Sequence, residues 1–380
     1  MGLFSSIFGK KEKNVIEEKS QVTEATTVTK NQRPVLSNKR GHADPNGLFP
    51  SDLVMLAVAE NYKTNATDYP RYLTTEYGVA NPYKALQELA TNGFLRESTA
   101  IETLPSLKVA ELKEIAEKLQ ITCKKQKAPL IEALSAVDEA LVSPYIPVRT
   151  WKITEAGQTA LNFNKYISYF LERHEYSLSE AGIDIWEVNK YLHNHPKMLY
   201  RDVIWRLLND RENKFSIDLQ TQDINKSYNA HEYCNCYRFM ALFLEEEKKY
   251  PQAAEFYFKY IYKLINIKAG VSFLATYEFY LHTKDKKYFN DGLERFYQDC
   301  QLYPFQKTDL FRLKEECNWD ENAFMDAMQK GFERAGDSGI LSLDQTMDFV
   351  IYELNGDTDK SRDLCIKTAK NVSKQIKLKK

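Results

Sequence analysis

With 380 residues and 52 Lys and Arg against 53 Asp and Glu, the chain is long enough for two or three cores. Its net charge of -1 excludes a polycation that coats nucleic acid indiscriminately, so any basic surface has to be local. Only 14 Gly and 12 Pro stand beside 24 Tyr and 20 Phe, which argues against an all-β fold or a glycine-loop enzyme and for helices packed through aromatic rings.

No apolar run approaches the ~20 residues that cross a bilayer. Six cysteines, at 123, 234, 236, 300, 317 and 365, are too scattered for a disulfide framework, so a reducing, cytoplasmic setting is expected. Residues 1–46 read as a polar and basic tail. Its first segment, Met1–Lys13, pairs Leu3, Phe4, Ile7 and Phe8 with Lys10, Lys11 and Lys13, a composition suited to a membrane surface or to a frayed terminus. The Thr-rich run Gln21–Lys30 lacks apolar period, and Asn31–Arg40 adds basic charge able to attract phosphate weakly.

Residues 47–161 form the first expected domain. Ser51-Asp52 caps a helix over Leu53–Tyr62, and a second helix runs from Asn81 to Asn92, where Gly93 stops it before the short strand Phe94-Leu95-Arg96. A helix running into N-G-F-L-R resembles the recognition helix and first wing strand of winged-helix proteins. Trp151–Leu161, WKITEAGQTAL, is similar to the segment that follows their second wing strand. That resemblance implies groove or phosphate contacts from Lys84, Gln87, Asn92 and Arg96. The other reading is the wet side of a small scaffold, since the helix also carries Glu88 and little positive charge.

Between those strands, residues 104–136 hold the most specific pattern. Val109, Leu112, Ile115, Ala116 and Leu119 recur at helical spacing over Lys108–Leu119. Thr122–Lys127 breaks the period with Lys124, Lys125 and Lys127, and a second apolar stripe then ends at Leu134, with Pro129 suited to its first turn. This stretch resembles the SAP domain, a helical hairpin that binds DNA. Leu107 and Val109 stand at its leading apolar pair, Leu112-Lys113 at its Leu-Lys, and Lys127-Ala128 with Leu130-Ile131-Glu132 and Leu134 at its closing motif. Gln120 and Lys125 replace two glycines of that pattern and Ala133 replaces an arginine. The resemblance implies phosphate contacts from Lys124, Lys125 and Lys127, then Lys108 and Lys113. An ordinary amphipathic hairpin with a solvated elbow is the other reading.

Residues 162–380 read as all-α. Amphipathic segments are expected over Ile185–Asn194, Leu199–Asn213, Glu232–Glu247, Gln252–Leu264, Ser272–Leu281, Tyr288–Cys300, Thr308–Cys317, Glu321–Arg334, Leu343–Leu354 and Asp359–Ile376. Tyr237, Met240, Ala241, Leu244, Tyr250, Ala253 and Tyr257 resemble a tetratricopeptide-like helix pair. Lys286-Lys287-Tyr288 echoes Lys248-Lys249-Tyr250, as irregular helical repeats do. Such a surface implies a protein partner or a second copy. The last helix carries Arg362, Lys367, Lys370, Lys374, Lys377, Lys379 and Lys380, a second nucleic-acid contact or a solvated face.

His231 with Cys234 and Cys236 lacks a second ligand pair at zinc spacing, and His193-Asn194-His195 has no metal-site context. No phosphate-loop, dinucleotide, hydrolase or zincin motif occurs. The expectation is a mainly α, non-enzymatic protein without metal or cofactor, a winged-helix-like domain carrying a SAP-like hairpin that meets duplex DNA, followed by an irregular helical-repeat domain for protein partners. The alternative is an interaction adaptor in which the hairpin is structural.

Overall fold

The computed structural model describes residues 39–122, 124–172, 181–221, 226–336 and 339–378, and the described chain is mainly helical with very little strand. It packs as two compact units. Among the described residues the first spans 39–172 and 184–203, and the second 181–183 and 204–378.

The first unit opens with α1 (Pro50–Val58), extended by a 3-10 turn at Ala59–Asn61. The Asp52 carboxylate accepts the Phe49 backbone N–H at 3.1 Å and pairs with Lys39. Asp52 therefore caps from the third helical position, and the helix starts at Pro50, earlier than the Leu53 expected from the sequence. Leu53, Val54, Met55 and Leu56 are fully buried. After α2 (Tyr72–Thr75) comes α3 (Pro82–Thr91), where Asn81 Oδ1 accepts the Lys84 N–H at 3.0 Å. Gly93, at φ 80°, closes it: the Gly93 N–H donates to Ala90 O and the Phe94 N–H to Leu89 O, both at 2.9 Å.

β1 (Leu95–Glu97) then pairs antiparallel with β2 (Trp151–Ile153), Leu95 opposite Ile153, and an antiparallel bridge between Lys63 and Thr150 adds a third chain segment. Between the strands lie α4 (Ala100–Thr103), α5 (Val109–Lys118), α6 (Lys127–Ser135) and α7 (Glu139–Val142). They enclose a hydrophobic cluster of their own, including Leu104, Leu107, Leu112, Ile115, Leu130, Leu134, Val142 and Ile146. α8 (Glu155–Phe163), α9 (Tyr166–Glu172) and α10 (Ile185–Asn194) pack on α1. A Cβ at Gly157 would stand 2.4 Å from Phe94 O, so glycine is what lets α8 approach the end of the sheet.

The division between units falls inside α11 (Tyr200–Thr221). The second unit continues with α12 (Lys226–Glu246) and α13 (Tyr250–Lys263), then a π-helical stretch at Leu264–Lys268 that runs straight into α14 (Ala269–Thr283). It ends with α15 (Lys286–Cys300), α16 (Pro304–Glu316), α17 (Glu321–Arg334), α18 (Leu343–Asn355) and α19 (Thr358–Leu378). Neighbours such as α12 with α13, α14 with α15 and α18 with α19 pack as successive helical hairpins, which gives the unit its helical-repeat character. Ala241, Ala253 and Ala254, all fully buried, let α12 and α13 close together.

The core of this unit is aromatic: Tyr257, Phe258, Phe273, Phe296, Phe324, Phe332 and Phe349 are almost wholly buried. Two of the buried phenols are hydrogen-bonded. Tyr257 Oη donates to Asp309 Oδ2 at 2.9 Å and Gln306 Nε2 to Tyr260 Oη at 2.8 Å. The sequence pattern predicts two separate helices around Leu264, but Asn266 holds the π turn in place, donating to Thr346 Oγ1 at 3.0 Å and accepting the Leu341 N–H at 3.1 Å. Among the described residues no helix is long and apolar enough to cross a membrane.

Candidate nucleic-acid interface

The helices between β1 and β2 are fixed at their base by three buried hydroxyls. Ser98 Oγ lies 2.6 Å from Thr103 Oγ1 and 3.0 Å from Thr150 Oγ1, at the point where the chain leaves and re-enters the sheet. The Ser98 N–H donates to Thr150 O at 2.9 Å, and Glu139 Oε1 accepts the Ala100 N–H at 2.6 Å. These bonds tie α4 and α7 to the strands, so α5 and α6 stand on an anchored base.

α5 is capped at its start by Glu111, whose Oε2 accepts the Lys108 N–H at 2.6 Å. Its end is a Schellman turn: the Gln120 N–H donates to Glu117 O at 3.0 Å and the Ile121 N–H to Ala116 O at 2.8 Å. Gln120 sits at φ 56°, the left-handed region in which glycine is at ease. Of the two positions where the SAP pattern carries glycine, only Gln120 takes positive φ; Lys125 does not. Ala133 is half-buried in α6. Pro129 lies in the first turn of α6, where its missing N–H has no helical partner to lose.

The bend between α5 and α6 presents Lys124, Lys125 and Lys127, all exposed. Among the described residues no carboxylate lies within ion-pair distance of their ammonium groups. Lys108 is exposed at the start of α5 and Lys113 is half-buried along it, and neither forms an ion pair among the described residues. Lys118 is different, because it donates to Glu114 Oε1 at 2.6 Å and lies 5.5 Å from the Tyr145 ring centre.

The α3–β1 residues are arranged otherwise. Lys84 Nζ is 3.5 Å from Glu88 Oε1, and Glu88 also approaches Lys39 at 3.8 Å. Gln87 is half-buried, and Asn92 Nδ2 donates to Glu88 O at 2.8 Å. Arg96 grips Glu102 with both guanidinium nitrogens at 2.7 Å and donates to Glu97 O at 3.0 Å. This fork is the main reason the Glu102 carboxyl is pulled down to about 2, with the Thr99 N–H helping. The pairing had a local signal, since Thr99-Ala100-Ile101-Glu102 is a capping box: Thr99 Oγ1 accepts the Glu102 N–H and Glu102 Oε2 the Thr99 N–H.

His193 stacks on His42 at 3.9 Å, and His195 Nδ1 lies 3.1 Å from Tyr191 O. Cys234 and Cys236 are buried, and burial pushes both thiols up to about 12. Among the described residues no group of three or more His, Cys, Asp or Glu is arranged to hold a metal ion. Met1–Lys13, the basic tail up to residue 38, and Lys379 and Lys380 lie outside the described residues. The chain matches no protein-family model, and no curated protein is similar to it.

Proposed function

We propose that the protein is a non-enzymatic, cytoplasmic DNA-binding protein that holds the duplex backbone at the α5–α6 bend. The observation that carries this reading is the set of three exposed ammonium groups, Lys124, Lys125 and Lys127, free of ion pairs among the described residues and held out by a hairpin with its own core. Lys108, exposed at the far end of α5, and the half-buried Lys113 are the weaker candidates of this reading. Phosphate contacts of this kind give modest, sequence-blind affinity that falls steeply with salt.

The SAP-like reading of α5 and α6 is supported by the buried apolar frame and by the left-handed turn at Gln120, where that pattern carries glycine. The winged-helix-like reading is supported by the chain order: α1, the Lys63 bridge segment, α2, α3, β1, β2 and α8. In that frame the hairpin takes the place of a wing tip, and α3 with β1 is a secondary contact, because Lys84 and Arg96 are already paired. For the helical unit, a tetratricopeptide-like role in binding protein is supported by the exposed rings of α16 and the residue before it. Tyr303 and Phe305 stack at 5.9 Å, and Phe311 stands on the same helix.

The test is a titration of the full chain with labelled duplex DNA at low and moderate salt, beside a Lys124/Lys125/Lys127→Glu variant. The charge-reversed protein is expected to bind on the order of a hundredfold more weakly at low salt. Equal binding by both would remove the site. No binding by either would favour the adaptor, in which the rings of α16 do the work.

A further inference from the structure

We propose that the second unit carries its own phosphate-binding stripe on α19, independent of the α5–α6 bend and directed to a nucleic-acid backbone. Lys367, Lys370 and Lys374 are exposed and recur at three- and four-residue spacing, so they share one face of the helix. From Lys367 to Lys374 the helix rises about 10 Å, close to the axial rise of about three phosphates along one strand of a duplex.

What singles these lysines out is the contrast with the cations before them on the same helix. Lys360 donates to Asp357 Oδ2 at 2.7 Å, and Arg362 pairs with Glu294. Past that point the pairing stops: among the described residues no carboxylate is within ion-pair distance of Lys367, Lys370 or Lys374. The nearest acid on the helix is Asp363, exposed four residues before Lys367 and forming no ion pair with it among the described residues.

A neighbouring turn adds to it. Tyr277 Oη of α14 donates to Ser373 O at 2.8 Å, and the Tyr277 ring meets Phe289 of α15 at 5.8 Å, which brings the α14–α15 turn beside this end of α19. That turn exposes His282, Lys284, Lys286 and Lys287. Asp285 caps α15, accepting the Lys287 N–H at 2.9 Å, and the exposed Glu278 and Asp291 lie about a turn to either side, so the turn's net positive charge is small and local. The α14–α15 hairpin packs on α19, so the second unit carries a lysine face and a basic turn on neighbouring elements, and phosphate is the ligand chemistry both fit.

The test uses the full chain and a labelled duplex, with binding followed by fluorescence anisotropy across a salt series. Lys367/Lys370/Lys374→Gln is expected to weaken binding about tenfold at low salt and to flatten the slope of log affinity against log salt by about 2 to 3. Lys286/Lys287→Gln is expected to flatten it by about 1 to 2. Because all five side chains are exposed, thermal melting should be unchanged, which separates lost binding from lost fold. Unchanged affinity and slope in both variants would overturn the proposal. So would a loss of binding to phosphatidylserine vesicles with DNA binding intact, which would assign the stripe to a lipid surface. If the α19 variant loses affinity while Lys124/Lys125/Lys127→Glu does not, the bend fails as a site and the stripe stands; the reverse result retires the stripe alone.

Discussion

Two regions of the first unit look alike as sequence and differ as surfaces. α3 with β1, and the bend between α5 and α6, each place cations on short elements or their ends. In the first region Lys84 meets Glu88 and Arg96 is gripped at both ends of its fork by Glu102. In the second, Lys124, Lys125 and Lys127 stand without ion pairs among the described residues. The same residue types stabilise the fold when a carboxylate is within reach and are available to a phosphate when none is. Counting cations along the chain does not separate the two cases; their partners in space do.

The comparison can be broken most forcefully by collapsing the hairpin. Leu112 and Leu134 are fully buried in the small cluster around α5 and α6, so Leu112→Ala or Leu134→Ala should cost about 2–5 kcal/mol. Urea unfolding should show the loss, and duplex binding should fall with it while α3 keeps its hydrogen-exchange protection. Retained binding by a melted hairpin would move the site elsewhere.

Glu102→Gln sharpens the contrast from the other side. Removing the carboxylate frees Arg96, so duplex affinity should rise a few-fold where stability falls by about 1 kcal/mol, the pair being half open to solvent. The pH dependence follows from the same contact. The Glu102 carboxyl is held at about 2 in the fold against an ordinary 4.5, so its stabilisation is fully present above about 4.5 and is lost as pH falls towards 2. Melting temperatures measured across that window should converge for the parent and Glu102→Gln at the acid end.

Gln120→Gly is expected to stabilise the hairpin by about 1 kcal/mol, because the left-handed turn at φ 56° then carries no Cβ penalty. Thermal melting reads the gain, and DNA binding should stay level. Lys84→Ala sets the lower limit: its exposed pair with Glu88 should be worth no more than about 0.5 kcal/mol, and duplex affinity should change less than twofold.

How far the sequence leads differs from place to place for physical reasons. Periodicity located α5, α10 and α17 closely, because one buried stripe decides a helix, and Asn92-Gly93 marked the end of α3 through the conformation glycine favours. Asp52 was legible as a cap but misplaced by a turn, since Pro50 before it already fits a first helical position. The join of α13 to α14 left no local sign; it depends on Asn266 bonding to Leu341 and Thr346, far along the chain. At the candidate site the lysines of the bend were visible as a break in period. The neutralisation of Arg96 was written in the Thr99–Glu102 capping box, a motif that fixes a carboxylate near the strand without saying which cation it will meet.

Lysine acylation footprinting of the whole protein, with and without duplex DNA at low salt, tests the central claim most directly because it needs no substitution and compares both regions in one sample. Protection of Lys124, Lys125 and Lys127 with Lys84 equally reactive in both states is the predicted result. Protection of Lys84 with an unprotected bend would contradict it.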